Sequence, residues 1–123
     1  MSDGIIVFAH GSRIESANQA VRDVVAVILR PNGPYEHVET AFLELGTPDL
    51  AGAAARLAAA GVHRIVVIPY FLTLGLHLER DLPRLVKETA RQFPGIDFRV
   101  TQPLDGHPAL AQILLDRARE ALD

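Results

Sequence analysis

The stretch Arg64-Ile-Val-Val-Ile-Pro69-Tyr-Phe-Leu-Thr-Leu-Gly-Leu-His77-Leu-Glu-Arg-Asp81-Leu-Pro83 indicates the fold of this chain. Its first six residues form a hydrophobic run of the length typical of a buried strand. The remainder turns at Gly75 into an amphipathic segment with Leu82, Leu85 and Val86 on one face. A buried strand, a turn and a helix in succession form the repeating unit of α/β proteins, and the same order recurs along the chain.

The whole chain alternates short apolar runs with longer amphipathic ones. The apolar runs predict four strands, at Gly4–Ala9, Val38–Leu43, Arg64–Pro69 and Phe98–Thr101. The amphipathic segments predict helices at residues 17–28 (ended by Pro31-Asn-Gly-Pro34), from a Thr47-Pro48 cap to Gly61, at 78–93 and at 108–122. This order predicts an α/β fold, doubly wound, with a mainly parallel four-stranded sheet and helices on both faces, in a single domain covering residues 1–123.

Composition narrows the possible functions. The net charge of −3 gives no general attraction to nucleic acid or to anionic membranes. The chain has no cysteine, which excludes disulfides and thiolate metal sites, so a metal must bind through His, Asp or Glu. No apolar run has signal-peptide character or reaches membrane-spanning length. We therefore expect a soluble, cytoplasmic protein without a nucleic-acid or membrane partner.

Polar residues follow each predicted strand at its carboxyl end, where open α/β sheets bind ligands. In chain order they are His10-Gly-Ser-Arg13, Glu44, the segment Tyr70 to His77, and the segment Gln102 to His107. Three of the five histidines fall on this edge of the sheet, whereas His37 and His63 precede strands and fall on the opposite edge. The carboxyl edge is therefore the candidate site.

Each candidate also has a purely structural interpretation. His10 either binds metal or accepts a proton, or it only packs the first turn beside a Gly11-Ser12 anion cradle. His77 lies where a helix begins, in a field that favours neutral imidazole, with Asp81 one turn later to orient the ring; otherwise it is an exposed polar residue. Glu44 is either held at a pocket floor or is a solvated charge. His107, which precedes Pro108, is better explained as a helix-entry residue, and we leave it out of the site.

Four motifs, in order along nearly the whole chain, resemble those of the CbiX-type sirohydrochlorin chelatases. They are His10-Gly-Ser-Arg13, Ala41-Phe-Leu-Glu44, Pro69 to His77 with Asp81-Leu-Pro83, and Pro103-Leu-Asp-Gly-His-Pro108. Members of this class II chelatase family insert a divalent metal into a tetrapyrrole without an ATP-driven motor. The length is similar to that of the short form, for which the resemblance implies a homodimer equivalent to the two fused halves of longer members. Asp105-Gly106 departs from the Leu-Gly common before the last His-Pro.

The resemblance implies that the chain inserts a divalent metal into sirohydrochlorin in cobalamin biosynthesis. We favour Co²⁺, with Fe²⁺ for sirohaem or Ni²⁺ for coenzyme F430 as alternatives, and expect no permanently bound cofactor. His10 and His77 are the implied metal ligands and proton acceptors, and Glu44 is the implied ligand or base. The expected contacts to sirohydrochlorin, whose carboxylates suit arginine, are Ser12, Arg13, Phe71, Thr73, Arg80 and Arg84. Leu72 and Leu74 are further candidates for an apolar wall, although we favour core packing for Leu72.

Two other functions fit the same residues. One is a tetrapyrrole or metal carrier of the same fold that performs no insertion. The other is a phosphate-handling enzyme that uses His10-Gly-Ser-Arg13 as anion cradle and nucleophile. The chain has neither a Gly-rich P-loop with Lys-Ser/Thr nor a Gly-x-Ser-x-Gly elbow, which argues against the second.

Overall fold

In the computed structural model, which describes residues 2–123, strands and helices alternate along the chain. The strands are β1 (Asp3–Ala9), β2 (His37–Phe42), β3 (Arg64–Pro69) and β4 (Asp97–Val100). The helices are α1 (Glu15–Asp23), α2 (Arg30–Asn32), α3 (Leu50–Ala59), α4 (Leu76–Gln92) and α5 (Ala109–Leu122), and a π-helical segment, Val24–Leu29, joins α1 to α2. No helix among the described residues is both long enough and apolar enough to cross a membrane.

All described strand pairs are parallel, and the strand order is β2-β1-β3-β4. The chain moves from β1 to β2 on one side and then crosses to β3 on the other, so the order reverses between β1 and β3. A crevice at the carboxyl ends of such strands is the usual ligand position in open α/β sheets. The predicted four-stranded parallel sheet with helices on both faces is confirmed.

Hydrophobic clusters lie on both faces of the sheet. On one face Ile6, Phe8 and Ile65 pack against α3 and α4. On the other face Ile5 and Val7 pack against the α1 side of the molecule. The residues of β1 from Gly4 to Ala9 are all buried, because both of its faces are covered. This buried strand fixes the position of the loop that follows it.

The predicted cap of α3 is wrong. The helix begins at Leu50, and the residue that caps it is Asp49, whose carboxylate accepts a hydrogen bond of 2.8 Å from the Gly52 N–H. Asp is as good an N-cap as Thr, and it lies nearer the apolar run. The Thr47–Pro48 peptide bond is cis and belongs to the preceding loop.

The other element boundaries differ from the predicted ones by a few residues. Helix α4 begins at Leu76 rather than Leu78, so His77 lies in its first turn. The predicted helix over 17–28 is part of a longer segment that begins at Glu15 and changes to π-helical geometry at Val24. Apolar spacing did not reveal this change, because a π-helix differs from an α-helix in its i→i+5 hydrogen bonds, which the order of apolar residues does not show.

Candidate active site

Backbone hydrogen bonds hold the loops after β1 and β2 side by side. The Leu43 N–H donates to the Ala9 carbonyl at 2.9 Å, and the Glu44 N–H donates to the His10 carbonyl at 3.1 Å. Gly11 then turns away with a φ of +94°, and a Cβ atom there would lie 1.6 Å from the Glu44 carbonyl oxygen. Only glycine fits both the conformation and the space. The chain is therefore built to place His10 directly beside Glu44.

The His10 ring directs one nitrogen to its own loop and the other to Glu44. Nδ1 lies 3.0 Å from the Gly11 carbonyl oxygen. A carbonyl only accepts, so Nδ1 donates, and in the neutral ring Nε2 keeps its lone pair. Nε2 lies 3.7 Å from Oε1 of Glu44, and both side chains are about half exposed. Two ligands at about 2.1 Å from one metal ion stand roughly 3.0–3.4 Å apart, so a small side-chain movement brings this pair onto one ion.

His77 lies in the first turn of α4, where Gly75 is the N-cap. Its Nδ1 lies 3.2 Å from Nη2 of Arg80. A guanidinium only donates, so Nδ1 accepts, and the neutral ring carries its proton on Nε2. Residues 2–123 contain no cluster of three or more metal-binding side chains. The structure therefore brings His10 and Glu44 together but does not bring His77 into one metal cluster with them.

Asp81 does not orient His77, in contrast to what its position one turn later suggested. Its carboxylate accepts a hydrogen bond from Arg84 at 3.2 Å and forms an ion pair with Arg80 at 3.6 Å. Arg80 is therefore shared between His77 and Asp81. An arginine at the third position after the histidine reaches back over the same helical turn, which explains why it replaces the carboxylate as the ring's neighbour.

A buried asparagine, which the sequence analysis missed, ties together the loops that carry His10 and Glu44. Asn18 is 1% exposed. Its Oδ1 accepts from the Ser12 N–H at 2.8 Å, and its Nδ2 donates to the carbonyls of Ser12 and Leu45, both at 2.9 Å. The signal was present in the sequence: position 18 lies on the apolar face that continues with Val21 and Val25, where a polar residue needs buried partners.

Two charged residues extend this connection toward α3. Glu15 accepts hydrogen bonds from Arg22 and, at 3.3 Å, from Asn18. These two donors, Arg22 first, hold the pKa of Glu15 below its usual 4.5. Arg22 also donates to the Thr47 carbonyl at 3.2 Å, and its guanidinium carbon lies 5.2 Å from the centre of the Phe42 ring. The carboxyl ends of β1 and β2 are thus held by polar contacts as well as by backbone pairing.

These contacts argue against the anion cradle that Gly11-Ser12 suggested. The Ser12 N–H already donates to Asn18, and the Ile14 N–H donates to the Ser12 hydroxyl at 3.1 Å. Two of the donors that such a cradle needs are therefore occupied within the protein. Arg13 is exposed beside them.

The loop after β3 differs from the predicted apolar wall. Phe71 and Leu74 are partly buried and pack against the core, whereas Leu72, for which we favoured core packing, is 68% exposed. The carbonyls of Phe71 and Leu72 accept from Leu104 and Asp105 at 3.0 and 2.7 Å, which ties this loop to the one after β4. Thr73 is exposed. Further exposed apolar side chains at this edge are Ile14 and Leu45 in the loops and Leu76 at the start of α4.

The remaining histidines lie as expected. The Ala109 N–H donates to Nδ1 of His107 at 3.0 Å, so this ring caps the start of α5. His37 opens β2, and His63 precedes β3, both at the amino edge of the sheet. That edge also carries a surface groove of about 740 Å³ lined by Arg30, Tyr35 and His37, away from the His10–Glu44 pair.

Comparison with known proteins gives one consistent family. The CbiX family profile matches residues 4–121. The chain is 36% identical over 121 residues to "Sirohydrochlorin ferrochelatase, chloroplastic" of Arabidopsis thaliana, covering 98% of this chain and 53% of the relative. It is 30% identical over 138 residues to "Sirohydrochlorin cobaltochelatase" of Methanopyrus kandleri, covering 96% of each.

A solved structure agrees with these relatives. The crystal structure of a putative cobalamin biosynthesis CbiX protein from Marinobacter aquaeolei VT8 superposes with a TM-score of 0.86 at 27% identity, covering 98% of this chain and 97% of that one. The present chain thus spans about half of the Arabidopsis thaliana relative and nearly all of those from Methanopyrus kandleri and Marinobacter aquaeolei. With its profile match over residues 4–121, the chain belongs to the CbiX family.

Proposed function

We propose that this chain, as one CbiX-type domain covering residues 1–123, inserts a divalent metal into sirohydrochlorin without ATP. Relatives across its whole length are named sirohydrochlorin cobaltochelatases, and a longer one is named a ferrochelatase. The observation that carries the proposal is the His10–Glu44 pair, in which an imidazole nitrogen and a carboxylate oxygen lie 3.7 Å apart at the carboxyl edge of the sheet.

The metal first binds to His10 Nε2 and Glu44. Two protein donors satisfy only part of the coordination sphere of Co²⁺, Fe²⁺ or Ni²⁺, so positions remain for water and then for pyrrole nitrogens. Half-exposed donors let the incoming macrocycle reach the ion. His77 is the third proposed ligand, and its participation requires the contact between its Nδ1 and Arg80 to open or the ring to turn.

Insertion also has a proton balance. Two pyrrole N–H bonds break as the metal forms bonds to those nitrogens, so two protons must pass to bases or water. Imidazole has a pKa near working pH, which suits it to this role, and we assign His10 and His77 as the proton acceptors. Glu44 serves as ligand or base. Each group must release the metal before or as it takes a proton, since a coordinated lone pair cannot be protonated.

Positive and apolar side chains around this pair suit the macrocycle. The carboxylates of sirohydrochlorin pair with Arg13, Arg80 and Arg84, of which the last two have side chains about 70% exposed. Ser12, Phe71 and Thr73 complete the contacts expected from the sequence. The exposed Leu72 replaces part of the wall that we assigned to Phe71, because it is the side chain that faces outward.

Cobalt is the metal we favour, in cobalamin biosynthesis, and Fe²⁺ or Ni²⁺ suits the same nitrogen and oxygen donors. The metal is a substrate in this proposal, and no permanently bound cofactor takes part. A cytoplasmic location and a homodimer are further parts of it. The dimer is supported by the length of the plant relative, of which this chain covers 53%, and by the openness of the carboxyl edge in one copy.

Anaerobic absorbance spectroscopy of sirohydrochlorin with Co²⁺, Fe²⁺ or Ni²⁺ tests the proposal. Initial rates with the protein are compared with the uncatalysed rate for each metal. We expect strong acceleration that His10→Ala and Glu44→Ala each lower by about 10²–10⁴-fold. His63→Ala is the matched control, because this exposed histidine lies at the opposite edge, and we expect it to retain the full rate.

Two results would contradict the proposal. Folded protein that accelerates none of the three insertions is no chelatase, and retained binding of metal and macrocycle would then identify it as a carrier. Equal losses in His10→Ala and His63→Ala would mean that the carboxyl edge is not the site.

A further inference from the structure

A groove runs along the outer edge of β2, the strand at one end of the sheet. The segment from α1 through the π-helical turns forms one wall, and α3 contributes to the other. We call this cavity, with a volume of about 360 Å³, the β2-edge groove. It is separate from the His10–Glu44 pair, since neither residue lines it. Its charged and polar lining residues include Arg22, Arg30, Glu39, Thr40 and Arg56.

The β2-edge groove is positive, although the whole chain has a net charge of −3. Three arginines and the single carboxylate of Glu39 line it. Arg56 pairs with Glu39. Arg22 pairs with Glu15, whereas Arg30 forms no ion pair within the described residues 2–123. Because a guanidinium has five N–H donors and no acceptor, this lining favours an anionic ligand.

The side chain of Thr40 provides a donor inside the groove. Thr40 is only 8% exposed, and its hydroxyl forms no hydrogen bond with another residue of the described chain. In residues 2–123 no fully buried side-chain nitrogen or oxygen lacks a partner, so the Thr40 oxygen must reach the surface of the groove. A polar group that is nine-tenths buried and has no partner in the protein needs one from water or from a ligand.

The backbone of β2 adds a second donor at the same residue. The Phe42 N–H donates outward to the Pro48 carbonyl at 2.9 Å. The Leu43 N–H donates in the opposite direction, to Ala9 at the end of β1, also at 2.9 Å. Because the backbone groups of a strand alternate between its two edges, the Thr40 N–H points to the same outer edge as that of Phe42. Among the described strands β2 pairs with β1 alone, so the Thr40 N–H has no strand partner.

The π-helical segment brings two of the arginines onto one side of the groove. Arg22 precedes this segment and Arg30 follows it, and the small side chain of Ala26 leaves space between them. In an α-helix, residues eight positions apart are rotated by about 80° around the axis. The wider i→i+5 turns of Val24–Leu29 reduce this offset, so both arginines line the same groove.

We propose that the β2-edge groove binds a small molecule that carries two oxyanion groups, either carboxylates or phosphates. Arg30 holds one group and Arg22 the other, while the hydroxyl and the N–H of Thr40 donate to the ligand between them. Arg22 makes three hydrogen bonds within the chain, so two of its five donors remain for the ligand. The volume of the groove is near the lower end of the range for ligand pockets, about 300–1,000 Å³, which suits a small dianion.

Protection of the sheet edge is the other role that these arginines could have. Charged side chains at an edge strand prevent it from pairing with another chain, and two copies joined at β2 would set the same arginines against each other. That role requires no donor on the floor of the groove. The unpartnered Thr40 hydroxyl therefore favours a ligand. This inference goes beyond metal insertion and does not depend on it.

Calorimetric titration of the metal-free protein at constant ionic strength is the first test. The probes are succinate and inorganic pyrophosphate, which separate a dicarboxylate from a diphosphate site, with acetate and uncharged succinamide as controls. We expect at least one dianion to bind with a dissociation constant below about 1 mM, and acetate to bind at least about tenfold more weakly. Succinamide should not bind. In an assigned amide NMR spectrum, the Thr40 signal should shift as the dianion saturates the site.

Substitutions in the groove identify the donors. Arg30→Gln should raise the dissociation constant of the tighter dianion at least about tenfold, because it removes a charged hydrogen-bond donor. Thr40→Val should raise it about fivefold and should not lower the urea midpoint, since the hydroxyl has no partner within the protein. Arg91→Gln is the matched control, because this exposed arginine of α4 does not line the groove, and its affinity should equal that of the wild type. Circular dichroism checks that each variant is folded.

Three outcomes overturn the proposal. Absence of saturable binding by both dianions means that the arginines only protect the edge. Equal weakening by Arg30→Gln and Arg91→Gln means that the anion responds to overall charge rather than to this groove. Binding that leaves the Thr40 amide signal in place means that the dianion occupies another surface. The assay of metal insertion is independent of all three, so failure of this proposal and failure of the chelatase proposal can be told apart.

Discussion

Substitution of the buried Asn18 tests whether the active site depends on the connection between the two loops. Asn18→Ala removes three hydrogen bonds of 2.8–2.9 Å, to both backbone groups of Ser12 and to the Leu45 carbonyl. A hydrogen bond contributes about 1 kcal/mol net, so we expect a loss of roughly 2–3 kcal/mol in the free energy of unfolding. This is less than the total stability of a typical domain, about 5–15 kcal/mol, so the variant should fold.

We expect Asn18→Ala to lower activity as well, by about as much in free energy as it lowers stability. Without Asn18 the loops that carry His10 and Glu44 keep their backbone pairing and the hydrogen bond from Arg22 to the Thr47 carbonyl but lose their direct side-chain connection. A displacement of about 1 Å at a reacting group costs on the order of 100-fold in rate. Urea unfolding, at one protein concentration because the chain is proposed to dimerise, gives the stability, and the insertion assay gives kcat. Asn18→Asp should fare no better, because it retains one acceptor and sets a carboxylate against two carbonyls.

Thr89→Val is the matched control for Asn18→Ala. Thr89 is 2% exposed, and its hydroxyl donates at 2.9 Å to the Leu85 carbonyl within α4. We expect a stability loss of about 1 kcal/mol and an unchanged kcat, because this bond is internal to one helix. If Asn18→Ala loses less than about 0.5 kcal/mol and keeps full activity, the connection is not what positions the site, and the reasoning is refuted.

Three further predictions concern neighbouring residues. Gly11→Ala should strongly lower the urea midpoint and the insertion rate, because its Cβ would lie 1.6 Å from a carbonyl oxygen. Gly95→Ala, which has open space around it and lies away from the site, should change neither by much; equal effects of the two substitutions would contradict this. Arg80→Ala should tighten Co²⁺ binding by about two- to fivefold, because the free protein no longer has to break the contact between Arg80 and Nδ1 of His77, which is worth under about 1 kcal/mol. Absorbance titration measures this affinity, and weaker binding would count against His77 as a ligand. Because the pKa of Glu15 is lower in the folded state than its usual 4.5, the charged carboxylate stabilises the fold above pH 4.5, and this stabilisation is lost as the pH falls through the lowered pKa. In urea, Glu15→Gln should therefore be less stable than the wild type at pH 7 and equal to it in strong acid. A difference that persists in acid would show that charge is not the cause.

Much of the fold followed from the sequence because strand burial leaves a clear pattern. Arg64–Pro69 was predicted with its observed boundaries, since β3 is a short apolar run bounded by polar residues. The parallel order followed from alternation of strands and helices. The π-helical geometry from Val24 was not predictable, because it changes the backbone hydrogen bonds without changing which side chains are apolar.

The sequence predicted the edge of the sheet on which the candidate site lies, but it did not predict the side-chain contacts within the site. His10 and Glu44 were placed on one edge because both follow strands, and the structure adds the 3.7 Å contact between them. Arg80 was expected to bind substrate, and its contact with His77 depends on rotamers that spacing does not fix. The burial of Leu72 was predicted wrongly, because the exposure of a loop residue depends on the direction in which the backbone turns. Here the carbonyls of Phe71 and Leu72 accept hydrogen bonds from the loop after β4, and these bonds set that direction.

The residues that fix the site are different from the residues that supply metal donors, and this division suits a protein that must release its metal. A closed structural metal site surrounds the ion with four protein ligands and holds it. Here the rigid parts are Gly11, Asn18 and the backbone bonds, none of which supplies a ligand, whereas His10 and Glu44 reach half-exposed positions at the ends of that frame. Added protein ligands would tighten binding of the metal but slow its transfer to pyrrole nitrogens, because every protein bond must break during insertion. The frame can therefore be stabilised without loss of function, but a third donor introduced beside this pair, such as Leu45→His, should bind Co²⁺ more tightly and insert it more slowly.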